Sequence, residues 1–165
     1  MNKELMFSSV SHEQYTPLDF LSKLFQFSGE IDLDPCSNSL ESPQVTAKHH
    51  LTKELDGLSQ HWQGKVYVNP PYGREISKWV NKAVCEYKSE RSSEIYILLP
   101  SRTDTKWHKS LDKYSRCYLT GRLKFQNLAN QNNSAPFPSV LFYLGDRNNE
   151  FIHYWKSFGF ATVGQ

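Results

Sequence analysis

The sequence predicts an α/β fold, a single compact domain over 1–165 built on a mostly parallel sheet, from three observations. Residues 95–99 form an unbroken apolar run of strand length, the mark of a strand covered on both faces, as parallel strands are. Strand-like and helix-like stretches alternate along the chain, which is the pattern of βαβ units. A length of 165 residues with 38% apolar content suits one core, with no linker and no separate target-recognition domain.

Taken in order, Pro17, Leu18, Phe20, Leu21, Leu24 and Phe25 recur at three- and four-residue intervals after Thr16, which predicts a short amphipathic helix over 17–26. Ile31-Asp32-Leu33-Asp34 reads as a strand stopped by Pro35, because proline cannot continue a central ladder. Residues 37–43 are loop. Lys65-Val66-Tyr67-Val68 is a second strand, closed by Asn69-Pro70-Pro71-Tyr72-Gly73, and Ile76, Trp79, Val80, Ala83 and Val84 place a helix over 76–87. The run 94–99 is a third strand. Residues 118–125 and 139–144 read as two more, paired as a hairpin edge, and 151–158 as a terminal helix; the Asn-rich stretch 127–133 is a polar loop. In an open α/β sheet ligand sites lie beyond the carboxyl ends of strands, where Asp34-Pro35, 69–72 and 100–104 fall.

Composition narrows the function classes. No apolar run approaches the roughly 18 residues a membrane helix needs, and residues 1–6 carry no basic stretch leading into an apolar block, so a cytoplasmic protein without a membrane partner is expected. Cys36, Cys85 and Cys117 are odd in number and lack CxxC spacing, which argues against a disulfide framework and a zinc knuckle. The net charge of +2 hides an asymmetry: residues 1–60 hold four basic against nine acidic side chains, residues 101–165 nine against four. Between Arg102 and Lys124 seven cations face only Asp104 and Asp112, a cluster that suits a phosphate backbone or a merely solvated basic face.

Asn69-Pro70-Pro71-Tyr72, directly after a strand, is the strongest signal. With each residue type at about one in twenty, a specified four-residue match arises by chance on the order of 10⁻³ times in such a chain. A rigid turn explains the prolines, but turn chemistry does not ask for this Asn together with this Tyr. The arrangement suits an exocyclic planar nitrogen. The Asn69 side-chain oxygen and the Pro70 carbonyl would accept its two hydrogens and localise its lone pair, while the fixed φ and missing donor of proline hold that carbonyl outward. Pro71 completes the turn, and Tyr72 would stack on the base. A base within a duplex must first be flipped out.

The chain resembles the phage-type DNA adenine-N6 methyltransferase family (Dam-like) over nearly its whole length. The blocks that carry the resemblance are Phe7-Ser8-Ser9 with Tyr15-Thr16-Pro17, Asp34-Pro35-Cys36, Asp56-Gly57-Leu58 with Trp62, 68–73, Trp79-Val80 with Lys82-Ala83, 98–100 with 102–105, 121–125, and Ala135-Pro136-Phe137-Pro138. Singly ordinary, they are specific in their order and spacing. The resemblance implies a Rossmann-like catalytic domain, S-adenosylmethionine as methyl donor, and DNA as partner, with no obligatory protein partner evident. It places Tyr15, Thr16 and Pro17 near the methionine carboxylate of the cofactor and Asp34, Pro35 and Cys36 in the first cofactor-binding loop. Asp56 would accept from the cofactor's adenine amino group, with Leu58 beside the ring and Asn69 at the donor. Arg102, Lys106, Lys109, Arg122 and Lys124 would contact DNA, and loops 101–107 and 127–135 would set whatever sequence preference there is. The chain departs from the wider methyltransferase pattern in having no GxG, and no acidic residue for the ribose stands out between Asn38 and Lys53.

Other readings compete. Pro35-Cys36 matches the nucleophile pair of cytosine-C5 methyltransferases, but it ends the first strand, where the cofactor loop belongs. An NPPY turn also serves enzymes that methylate RNA bases or protein glutamine amides; the basic 102–124 segment favours a polyanion, and the shared blocks favour DNA. A non-catalytic DNA-binding module would not require an intact 69–72. No histidine needs a role: His49-His50 lacks further ligands at metal spacing, and methyl transfer from a sulfonium needs no metal.

Overall fold

The computed structural model describes residues 15–126 and 132–165. Helix α1 (Leu18–Ser28) leads to strands β1 (Leu33–Asp34) and β2 (His49–His50), a 3₁₀ turn at Lys53–Leu55, β3 (Gly64–Val68), α2 (Ile76–Lys88), β4 (Ser92–Pro100) and a short α3 (Lys106–Lys109). Then come β5 (Ser115–Leu119), β6 (Lys124–Gln126), β7 (Asn132–Ser134), β8 (Ser139–Leu144), α4 (Asn148–Trp155) and β9 (Gly159–Thr162). Seven strands form one sheet in the order β2-β1-β3-β4-β8-β5-β9, and β6 pairs with β7 in a separate hairpin.

The sheet is mixed, which corrects the expectation of a mostly parallel one. β2, β1, β3 and β4 run parallel, whereas β8 is antiparallel to both β4 and β5, and β9 is antiparallel to β5. The apolar run 95–99 does not by itself fix strand direction. Burial of β4 on both faces requires neighbours and covering helices, and an antiparallel β8 supplies these as well as a parallel strand would. The expected strand over 118–125 also divides. β5 stops at Leu119, Gly121 at φ 78° turns the chain, and β6 leaves the main sheet to pair with β7. β8 is central rather than an edge strand, the edge being β9.

Alternation along the strands sorts side chains to two covered faces. Tyr67, Tyr96 and Tyr143 stand in register across β3, β4 and β8 and meet the α1–α4 layer, where Phe27 packs against Tyr96, Tyr143 and Phe151 and Phe20 against Trp155. On the opposite face, Phe142 meets His108 of α3, which contacts α2. The C-terminal end of α1 receives the Lys65 ammonium, which donates to the Ser28 carbonyl at 2.6 Å, a cation placed where the helix dipole favours one.

A buried carboxylate ties α2 to the start of β3. Glu86, 1% exposed, accepts from the Trp62 backbone N–H (3.2 Å) and Arg91 Nε (3.1 Å) and pairs with Lys82. Burial raises its pKa, but the Lys82 and Arg91 partners outweigh burial and hold it below the ordinary value. Among the described residues no helix is long and apolar enough to cross a membrane.

Candidate active site

β1 connects to β2 on one side, while the chain continues through β3 to β4 on the other, so the direction of winding reverses between the adjacent strands β1 and β3. Carboxyl ends at such a switch point diverge and leave a crevice. Asp34 is the last residue of β1 and Asn69 the first after β3.

Four segments far apart in sequence converge on this crevice. Asn69 Nδ2 donates to Thr16 Oγ1 at 3.0 Å, drawing the residues ahead of α1 onto the end of β3. Asp34, 3% exposed, accepts from the Cys36 backbone N–H at 3.0 Å and so folds the chain sharply through the buried Pro35. Gly57 lies against that turn: a Cβ there would run into the Pro35 carbonyl oxygen and come within 3.1 Å of Trp79. Glycine is therefore what lets the Asp56–Leu58 loop reach the Asp34–Cys36 turn. Trp62 Nε1 pins the loop by donating to the Gly57 carbonyl at 2.8 Å. Asp56 is exposed, at φ 50°, and accepts from the Leu58 N–H at 3.3 Å; Leu58, Tyr15 and Cys36 are half-buried and Pro17 is buried.

In place of a glycine-rich loop, residues 37–44 are tied by their own polar side chains. Asn38 Oδ1 accepts from the Gln44 N–H (2.8 Å), Ser39 Oγ from Glu41 and Ser42 N–H (3.1 and 3.0 Å), and Ser37 Oγ donates to the Ser39 carbonyl (2.9 Å). Such local bonds hold an irregular backbone as glycines alone would not.

The electrostatics follow from burial. The Asp34 carboxyl is pushed up to about 7 by desolvation, against the opposing effect of the Cys36 N–H bond. Burial and the neighbouring Asp34 push the Cys36 thiol well above its ordinary value, which disfavours the thiolate a nucleophile needs. An Asp held above its unfolded-state value of 3.8 binds more protons folded than unfolded. Its contribution is therefore most favourable below about pH 4 and is lost as pH rises towards 7, at up to about 1.4 kcal/mol per pH unit. Asp34→Asn keeps the acceptor for Cys36, so the variant should match the native protein in denaturant unfolding at pH 4 and exceed it at pH 8. Equal stability at both pH values would show that Asp34 is not desolvated.

Tyr72, which the sequence offers as a stacking partner for the base, is also part of the hydrophobic core. It is 8% exposed, its hydroxyl donates to the Leu98 carbonyl at 3.3 Å, and its ring meets Phe125 and Phe137 at centroid distances of 6.0 and 5.5 Å with interplanar angles of 85° and 67°. Pro70 is buried and Pro71 half-buried.

The same aromatic cluster relates part of the basic segment to the turn. The Arg102 guanidinium lies 6.0 Å from the Phe137 ring, and the exposed Lys124 precedes Phe125 in β6. Lys106 and Lys109 are exposed on α3, with Lys109 3.8 Å from Asp112, and Arg122 is exposed before β6. Arg116 drops out of the basic surface: it is 7% exposed and paired with Asp112.

Sequence reasoning missed Tyr67, Gln44, Phe125 and Phe137. Tyr67 left a signal as a hydroxyl between Val66 and Val68, and Phe125 and Phe137 lie within blocks that carry the resemblance but were given no role there. Residues 7–9 and 127–131 lie outside the described residues.

A family model described as DNA N-6-adenine-methyltransferase (Dam) matches residues 7–157. No curated protein matches the chain.

Proposed function

Since the chain belongs to the DNA N-6-adenine-methyltransferase (Dam) family, we infer that it transfers a methyl group from S-adenosylmethionine to the exocyclic N6 amino group of an adenine flipped into a pocket at Asn69–Tyr72. The observation that carries this reading is the meeting of Thr16, Asp34, the Asp56–Leu58 loop and Asn69 at one switch-point crevice.

The donor set there fits the cofactor. Asp34 is a buried carboxylate that accepts a hydrogen bond from the Cys36 backbone N–H, and a charge so buried favours a cationic ligand that compensates it. Asp56 offers a carboxylate at the mouth and Leu58 an apolar contact for a ring. When bound, S-adenosylmethionine supplies an electrophilic methyl group on a sulfonium sulfur.

The chain's own residues act on the base. Asn69 Oδ1 and the Pro70 carbonyl accept the two N6 hydrogens and draw the nitrogen's lone pair out of conjugation with the ring, toward the incoming methyl. The nitrogen gains the methyl and releases one proton to solvent. Tyr72 fixes the plane of the base with a ring already anchored through Leu98, so little ordering is left for the moment of reaction. Because Tyr72 is so little exposed, base entry goes with displacement of its aromatic neighbours.

Calorimetry tests the cofactor half of this reading. The protein should bind S-adenosylmethionine or its demethylated product, and Asp56→Ala should weaken that binding by about 1.5–3 kcal/mol, one hydrogen bond to a charged acceptor. Unchanged affinity would remove Asp56 from the site.

A further inference from the structure

An amide has two faces: turned one way Asn69 offers a target amine an acceptor, turned the other a donor. The structure contains a device that sets the turn. Asn69 Nδ2 donates to Thr16 Oγ1 at 3.0 Å, and Thr16 Oγ1 in turn shares a hydrogen bond of 2.9 Å with the Tyr67 hydroxyl. Thr16 is 1% exposed and Tyr67 0%. The Gln44 side-chain amide holds the Thr16 carbonyl at 3.2 Å, so the hydroxyl is presented from a fixed backbone.

Tyr67 sits in β3 two residues before Asn69, in the tyrosine row that faces α1. Phenylalanine would fill the same space. What tyrosine adds is a hydroxyl, which costs stability in a buried site unless it is bonded, and this one is bonded to Thr16. Burial also holds the Tyr67 phenol well above its ordinary range, so the pair carries no charge at working pH.

We propose that Tyr67 and Thr16 are positioning residues: Tyr67 holds the one hydroxyl proton of Thr16, Thr16 therefore meets Asn69 only as an acceptor, and the amide is fixed with its nitrogen toward Thr16 and its oxygen toward the target amino group. Without the Tyr67 hydroxyl, the Thr16 proton is released to swing toward Asn69 and accommodate the reversed amide. The inference rests on Asn69 serving as acceptor for the target amine.

Tyr67→Phe should lower kcat about tenfold, the scale of one hydrogen bond in the barrier. Affinity for the demethylated cofactor should stay within twofold and unfolding should remain cooperative. A carboxylate has two equivalent oxygens and needs no orienting, so in an Asn69→Asp background the Tyr67→Phe factor should shrink below twofold. A readout independent of activity is the Asn69 side-chain amide in NMR spectra, assigned by its loss in Asn69→Asp: its protons should exchange with solvent faster in Tyr67→Phe. A tenfold loss that persists in the Asn69→Asp background, or unchanged amide exchange, would overturn the proposal and leave Tyr67 a packing residue. Should Asn69→Asp be inactive, amide exchange decides alone. Full activity of Asn69→Ala would instead remove the parent reading, whereas an inactive Asn69→Ala beside a fully active Tyr67→Phe would remove only this one.

Discussion

Asn69→Ala is expected to lower methyl transfer to DNA by about 10²–10³, the scale on which a single preorganised polar group acts in a reaction, while the protein still folds and binds the cofactor. Asn69 is half-buried and lies just past the end of β3, so truncation opens no core cavity; it deletes the acceptor for the target hydrogens and the donor to Thr16. Single-turnover transfer and thermal unfolding check the two halves. Tyr72→Ala is a poorer test. Removing a ring that is part of the hydrophobic core costs about 3–5 kcal/mol in stability, so lost activity there would not distinguish chemistry from unfolding. Tyr72→Phe, which deletes only the bond to the Leu98 carbonyl, is the cleaner variant.

DNA affinity is expected to fall linearly in log–log against salt. If Arg102, Lys106, Lys109, Arg122 and Lys124 each neutralise one phosphate, the slope is about −4.5, and a fourfold rise in salt weakens binding about 500-fold. Arg102→Ala or Lys106→Ala should flatten the slope by about one unit on every sequence without changing which base is methylated. Lys109, near Asp112, should contribute least. Fluorescence anisotropy on two unrelated duplexes over a salt series measures this. A changed methylated sequence with an unaltered slope would make these residues readers of bases, and no effect on either would return them to a solvated face.

What could be read from the chain beforehand follows from how local each signal is. β3 and its turn were legible because Val66 and Val68 are apolar and the two prolines stop a ladder; α1 and α2 were legible because their apolar positions repeat at the helical period. β2, at His49–His50, and β9, with Phe160 exposed, lack an apolar alternation and gain their state from pairing with neighbours. Strand direction was illegible because β4 is equally buried beside a parallel β3 and an antiparallel β8. In the site, the Asn and Tyr of the turn were visible as residue types. The bond from Asn69 to Thr16 spans 53 residues, and no spacing rule reaches across such a distance. The burial of Arg116 beside Asp112 and of Tyr72 beneath Phe125 and Phe137 is likewise a property of packing, which charge and motif counting do not see.

We propose that the crevice between β1 and β3 methylates adenine in DNA. Tritium transfer from labelled S-adenosylmethionine to unmethylated DNA, RNA and protein in parallel, followed by nucleoside analysis of the product, tests it most directly. Label is expected in DNA alone, recovered as N6-methyladenine and lost in Asn69→Ala. Label in RNA or in a glutamine amide, in methylcytosine, or undiminished by that substitution would contradict it.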